Sequence, residues 1–207
     1  SESNVAFGYQ ALDSGVTGTN NVAIGRQALT NITEGVHNCA VGAYAMFTNT
    51  GGDYNTAIGG QALYYTTTGQ YNTGVGYDAL QDNTTGSHNT AIGYQTLDLN
   101  TTGSSNTAVG SGSLGSSTTA SQNTAVGRVA LSANTTGSAN VAVGYQALEN
   151  NTTASSNTAL GAEALEVNTT GAQCTAIGFR ALEANTTANY NTAIGSQSLQ
   201  AATTGDL

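Results

Sequence analysis

The sequence predicts an all-β chain folded as a parallel β-solenoid, a β-roll or β-helix of twelve 17-residue coils. Three observations carry this. The motif Asn-Thr-Ala-Ile/Val-Gly starts at Asn4, Asn21, Asn38, Asn55, Asn72, Asn89, Asn106, Asn123, Asn140, Asn157, Cys174 and Asn191, always 17 residues on, with no insertion or deletion. Self-similarity at a fixed period is the mark of stacked repeats, in which each unit lies on the one before. The second observation is composition: Pro and Trp are absent and charged residues are 7% of the chain, too little charge to hold it disordered by self-repulsion. The third is that certain columns of the repeat hardly vary. Residues 1–3 precede a single solenoid spanning 4–207.

Columns one to five are read as a strand and its corner. Thr90-Ala91-Ile92 alternates as a strand does, so columns two and four share one face and columns one, three and five the other. The larger residues are expected inward. Column five is Gly throughout, at Gly8, Gly25, Gly42, Gly59, Gly76, Gly93, Gly110, Gly127, Gly144, Gly161, Gly178 and Gly195. Such a column implies a corner with positive φ or a backbone approach with no room for Cβ. A second extended segment, Gln-Ala-Leu, places column nine Leu inward. A third runs through Thr-Thr, ahead of turn residues in columns twelve to fifteen. The expected core therefore includes Ile24, Leu29, Ile58, Leu63, Ile92, Leu97, Val126 and Leu131. Two large apolar side chains per coil are few for 17 ordered residues. A parallel trimer packed through the small residues of columns three and five is expected to supply the remaining burial.

Charge excludes several function classes. Three basic residues, Arg26, Arg128 and Arg180, face twelve acidic ones, giving a net charge of −9. Three scattered arginines cannot neutralise a phosphate backbone or an anionic membrane. No stretch of about 18 apolar residues would span a bilayer. The cysteines, Cys39 and Cys174, lie eight coils apart. At about 4.8 Å per coil they cannot pair within one chain.

Candidate sites are rows of like residues. Glu149, Glu166 and Glu183 share column ten, and three stacked carboxylates could bridge a divalent cation, although the reading without metal is a solvated row. Glu163 precedes Arg180 by one coil and is expected to touch it. Tyr54, Tyr71 and His88 fall in column seventeen, with His37 in the same column, and Phe47 falls under Tyr64. Such rows brace a ladder or offer rings to a sugar or partner protein. Gly110-Ser111-Gly112-Ser113-Leu114-Gly115 matches a dinucleotide-binding pattern but lacks its βαβ context. Asn-x-Thr sequons at Asn31, Asn83, Asn100, Asn134, Asn150, Asn151, Asn168 and Asn185 read as turn residues. Thr84 to Thr169 and Thr85 to Thr170 form two columns that raise ice binding as an alternative function.

The segments 72–102 and 123–144, with Asn-Thr-Ala-Val-Gly, Gln-Ala-Leu and Asn-Thr-Thr-Gly, resemble tandem repeats of phage tail fibres and related surface fibres. The Asn-x-Ala-Ile-Gly core is also similar to the head repeats of trimeric autotransporter adhesins. That resemblance implies a β-roll packed as a trimer, in an extracellular, cell-surface or virion setting, with a carbohydrate or cell-surface receptor as partner. Catalysis needs unlike groups converging at one place, whereas this sequence sets like groups in rows. The expected role is therefore structural: a rigid, non-enzymatic, self-associating rod without cofactor, either capped by other segments or stacked head to tail on further copies.

Overall fold

The computed structural model describes residues 3–203, and within them each coil contributes one three-residue strand. The strands are β1 (Val5–Phe7), β2 (Val22–Ile24), β3 (Cys39–Val41), β4 (Thr56–Ile58), β5 (Thr73–Val75), β6 (Thr90–Ile92), β7 (Thr107–Val109), β8 (Thr124–Val126), β9 (Val141–Val143), β10 (Thr158–Leu160), β11 (Thr175–Ile177) and β12 (Thr192–Ile194). They form one sheet in chain order, every neighbour parallel. Register is set by the period: Thr73 pairs Thr90, Gly74 pairs Ala91 and Val75 pairs Ile92. The described residues include no helix. The chain is thus a β-solenoid in which equivalent residues lie over one another.

The core is narrow. Column nine lies inside in every coil but the first and the last, with Leu29, Leu63, Leu97 and Leu131 at zero exposure, as expected, and Leu12 half-buried and Leu199 exposed at the ends. The strand faces are the reverse of the expectation. Column three is the inward one: Ala23, Ala57, Ala91 and Ala125 are completely buried, while Ile24 (38%), Ile58 (43%) and Ile92 (41%) are exposed and Val126 is half-buried. Those four are therefore not core residues. The inner face of the strand passes directly across the column-nine leucines. A Cβ built on Gly74 would lie 3.1 Å from Ala79 O and 3.5 Å from Leu63 Cγ, a space that takes a methyl group closely and leaves no room for Ile. Column three is sealed inside its own chain and so cannot carry the expected packing of copies, whereas the column-five glycines from Gly25 to Gly178 are half-buried.

The Gln-Ala-Leu and Thr-Thr segments are not strands. Columns seven, nine and seventeen take left-handed backbone conformations, for example Gln95 (φ 48°), Leu97 (φ 53°) and Tyr71 (φ 56°). Alternating right- and left-handed residues turn the chain tightly yet keep its amides pointing along the rod. Leu97 N thus donates to Ser113 O at 3.0 Å in the next coil, and Gln95 N to Tyr77 O at 3.0 Å in the previous one. Coil-to-coil bonding continues outside the strands, which offsets the strain of those residues.

Column one forms a buried file of asparagines. Asn106 N donates to Asn89 Oδ1 at 3.0 Å, and Asn106 Nδ2 donates to Ala120 O at 2.8 Å. Each amide thereby joins its own coil's far side to the coil before, satisfying polar groups that would be costly inside. Cys174 stands in this file. Its N donates to Asn157 Oδ1, and its thiol lies 3.3 Å from Ala188 O, the place an Asn amide would take.

Candidate functional site

The column-seventeen row forms as the period requires. His37, Tyr54, Tyr71 and His88 stack with centroids 4.9, 5.1 and 5.0 Å apart and planes within 8°. The shared left-handed conformation, φ between 55° and 60°, aims all four rings the same way. Both faces of Tyr54 and of Tyr71 are covered by neighbouring rings, so only their edges meet solvent. Offset stacking supports the ladder, and it closes these faces to a sugar ring.

A second aromatic group is built from columns seven, ten and eleven. Phe47 stacks on Tyr64 at 5.2 Å, Tyr65 meets Tyr64 edge-on at 4.6 Å, and Tyr44 lies 6.3 Å from Tyr64. Tyr44, Tyr64 and Tyr65, with Gln61 and Gln81, line an open hollow of about 370 Å³. Burial pushes the Tyr64 phenol up from its ordinary pKa, and the Tyr65 and Tyr44 phenols add to the rise. The bunching of aromatics in these repeats is visible in the sequence, but the hollow is not. The signal available is that columns seven, ten and eleven hold aromatics nowhere else in the chain.

Acidic side chains converge at one place and act on one another's charge at a second. Ligand oxygens of Glu163, Glu166 and Glu183 lie within 4.8 Å of one another. The expected trio of Glu149, Glu166 and Glu183 is corrected in one member: Glu149 is engaged by Gln146, whose Nε2 donates to its Oε2 at 2.6 Å. Arg180 serves as the local counter-charge, donating to Glu163 at 2.6 Å with Glu183 at 3.8 Å, so the expected Glu163–Arg180 contact forms. Burial raises the Glu166 pKa, and Glu163, Glu149 and Glu183 raise it further, partly offset by Arg180. The second place, which sequence reading missed, is Asp78, Asp82 and Asp98. Burial, with smaller contributions from Asp82 and Asp78, pushes the Asp98 carboxyl up to about 6.

Other expected positions resolve simply. In column five, Gly76 has φ 134° and an added Cβ would lie 2.2 Å from Gly93 O, so both expected reasons for glycine hold at once. The sequons Asn83, Asn100, Asn134, Asn151, Asn168 and Asn185 are completely buried. Thr84 Oγ1 donates to Thr101 O at 2.9 Å, and column thirteen repeats that bond along the rod. Each arginine lies over an aromatic ring: Arg26 over Tyr44, Arg128 over Tyr145 and Arg180 over Phe179, at 4.9 to 5.8 Å. No family model, curated protein or solved structure matches the chain.

Proposed function

We propose that the chain is a structural section of an extracellular or virion fibre, a rod whose copies associate in parallel through the outer face of the sheet. The observation that supports this is the outward file of column four. Ile24, Ile58, Ile92, Leu160 and Ile194 are each at least 38% exposed and lie in one line down the sheet. A continuous apolar stripe in water marks an interaction surface. Its straightness and regular spacing suit a second copy of the same file, as in the trimer the repeat resemblance implies. Rows of like groups suit a mechanical role better than catalysis. Adhesion to a cell-surface receptor would be a further role of the same rod.

Light scattering after size exclusion tests the association: a mass three times 20.7 kDa is expected. A lone 20.7 kDa species across micromolar concentrations sinks the trimer. Negative-stain images showing globules instead of rods would sink the fibre role. The alternative, ice binding by the threonine columns, is disfavoured by one observation. Column-thirteen hydroxyls are committed to carbonyls of the next coil, leaving column fourteen as a single exposed rank. Ice crystals shaped by micromolar protein would reverse that judgement.

A further inference from the structure

We propose that the hollow over the third to fifth coils binds a neutral saccharide unit, seated against the Tyr65 ring and held by the amides of Gln61 and Gln81. The repeat departs from its pattern here at several columns together, and the fold gathers those departures into one place. Tyr44 is the single aromatic of column seven, Phe47 and Tyr64 are the two of column ten, and Tyr65 is the single one of column eleven. Ladder stacking accounts for Phe47 and Tyr64, which lie face to face. It does not account for Tyr65. Its neighbours in the coils before and after are Thr48 and Asp82, it touches Tyr64 edge-on, and 48% of it is exposed. That leaves a half-exposed ring, stacked on no neighbour along the rod, beside a concavity.

The polar groups fit a ligand of paired hydroxyls. Gln81 Nε2 donates to Gln61 Oε1 at 2.8 Å and to Asp78 Oδ1 at 3.1 Å. Both protons of that nitrogen are thereby used, which leaves Gln81 Oε1 as an acceptor and Gln61 Nε2 as a donor at the rim. A fixed acceptor beside a fixed donor is complementary to neighbouring hydroxyls, each of which both gives and accepts. Tyr44 and Tyr64 add phenol groups to the lining, and a phenol hydroxyl can both give and accept a hydrogen bond. No charged side chain lines the hollow: Asp78 is bonded behind Gln81, and Arg26 lies over Tyr44 at 5.4 Å. A neutral ligand is therefore favoured over an acidic sugar. The volume of about 370 Å³ is at the small end of ligand clefts, about 300 to 1,000 Å³, and suits one ring of a longer glycan entering from the open side. The whole hollow belongs to one chain, so its occupancy does not depend on whether rods associate.

Saturation-transfer NMR on the full chain, with glucose, galactose, mannose and N-acetylglucosamine each at millimolar concentration, tests the proposal. Transfer to the ring protons of at least one sugar is expected. In Tyr65→Leu and in Gln61→Met, affinity should fall about tenfold or more, as expected when one stacking or hydrogen-bonding contact is lost from a weak site. Tyr54→Ser combined with Tyr71→Ser should leave the signal intact. Thermal melts of each variant confirm that it folds, and either of the two hollow variants suffices if the other does not. No transfer from any of the four sugars overturns the proposal. So does a signal that survives both hollow variants, or one that disappears with the Tyr54 and Tyr71 substitutions.

Discussion

Gly76 shows what stacking asks of a single residue. Its φ of 134° is a region that side chains avoid, and a Cβ there would meet the carbonyl of Gly93 in the next coil. Gly76→Ala is expected to destabilise the chain by about 2 to 4 kcal/mol, backbone strain and clash acting together. Gly51→Ala is the control, since an added Cβ there meets nothing within 4 Å. Denaturant melts of the two variants should differ clearly, and similar midpoints would refute the close-approach account. A second residue-scale effect concerns column twelve. Asn100 Nδ2 donates to Asn83 Oδ1 at 2.8 Å, and Asn151, Asn168 and Asn185 continue such a file from Asn134. Ser117 interrupts it, and the buried Asn100 Oδ1 and Ser117 Oγ are left without hydrogen-bond partners. Ser117→Asn is expected to join the two files and add about 1 kcal/mol of stability. An unchanged or lower melting temperature would count against it.

At the scale of the element, the strand presents unequal faces. Leu97→Ala should cost about 2 to 5 kcal/mol, as for a large buried side chain. Ile92→Ser should cost the single chain under about 1 kcal/mol, because the side chain already meets water. Equal losses would mean that both point inward. Asp98, the turn residue beside Leu97, carries a pH effect. The folded chain holds the Asp98 proton more tightly than the unfolded chain does. The folded pKa is raised, so this contribution favours the fold most at acid pH. Stability falls as pH rises from about 4 through about 6 and is level above. With the group half-exposed, solvent screening leaves roughly 1 kcal/mol of the effect. Asp98→Asn should remove this slope and raise stability at neutral pH. Melts at pH 4 and pH 7 that keep the wild-type difference would refute the assignment to Asp98.

The whole molecule is a one-dimensional stack in which each coil pairs only with the coils beside it. Excising residues 106–122, a complete unit that contains Ser117, should therefore leave the circular dichroism spectrum and melting temperature unchanged or improved. Excising 106–113, under half a unit, should lower the melting temperature. The reverse order would show that the coil is not the folding unit. Much of this stack was legible in the chain itself, because the period alone dictates which residues become neighbours. The Leu97 file, the Tyr54–Tyr71–His88 row and the Glu163–Arg180 pair needed nothing more than seventeen-residue spacing. The direction in which a strand faces was not legible. Alternation establishes that Ala91 and Ile92 point opposite ways, but a three-residue strand is too short to reveal which way is in. Hydrophobicity favours Ile92, whereas the space beside Leu97 admits only Ala91. The turn geometry that makes this space, with Gln95 and Leu97 in left-handed conformations that residues other than glycine seldom take, arises from bonding between whole coils. The hollow at Tyr65 has the same origin, since side chains from three coils meet there only once the turns are stacked.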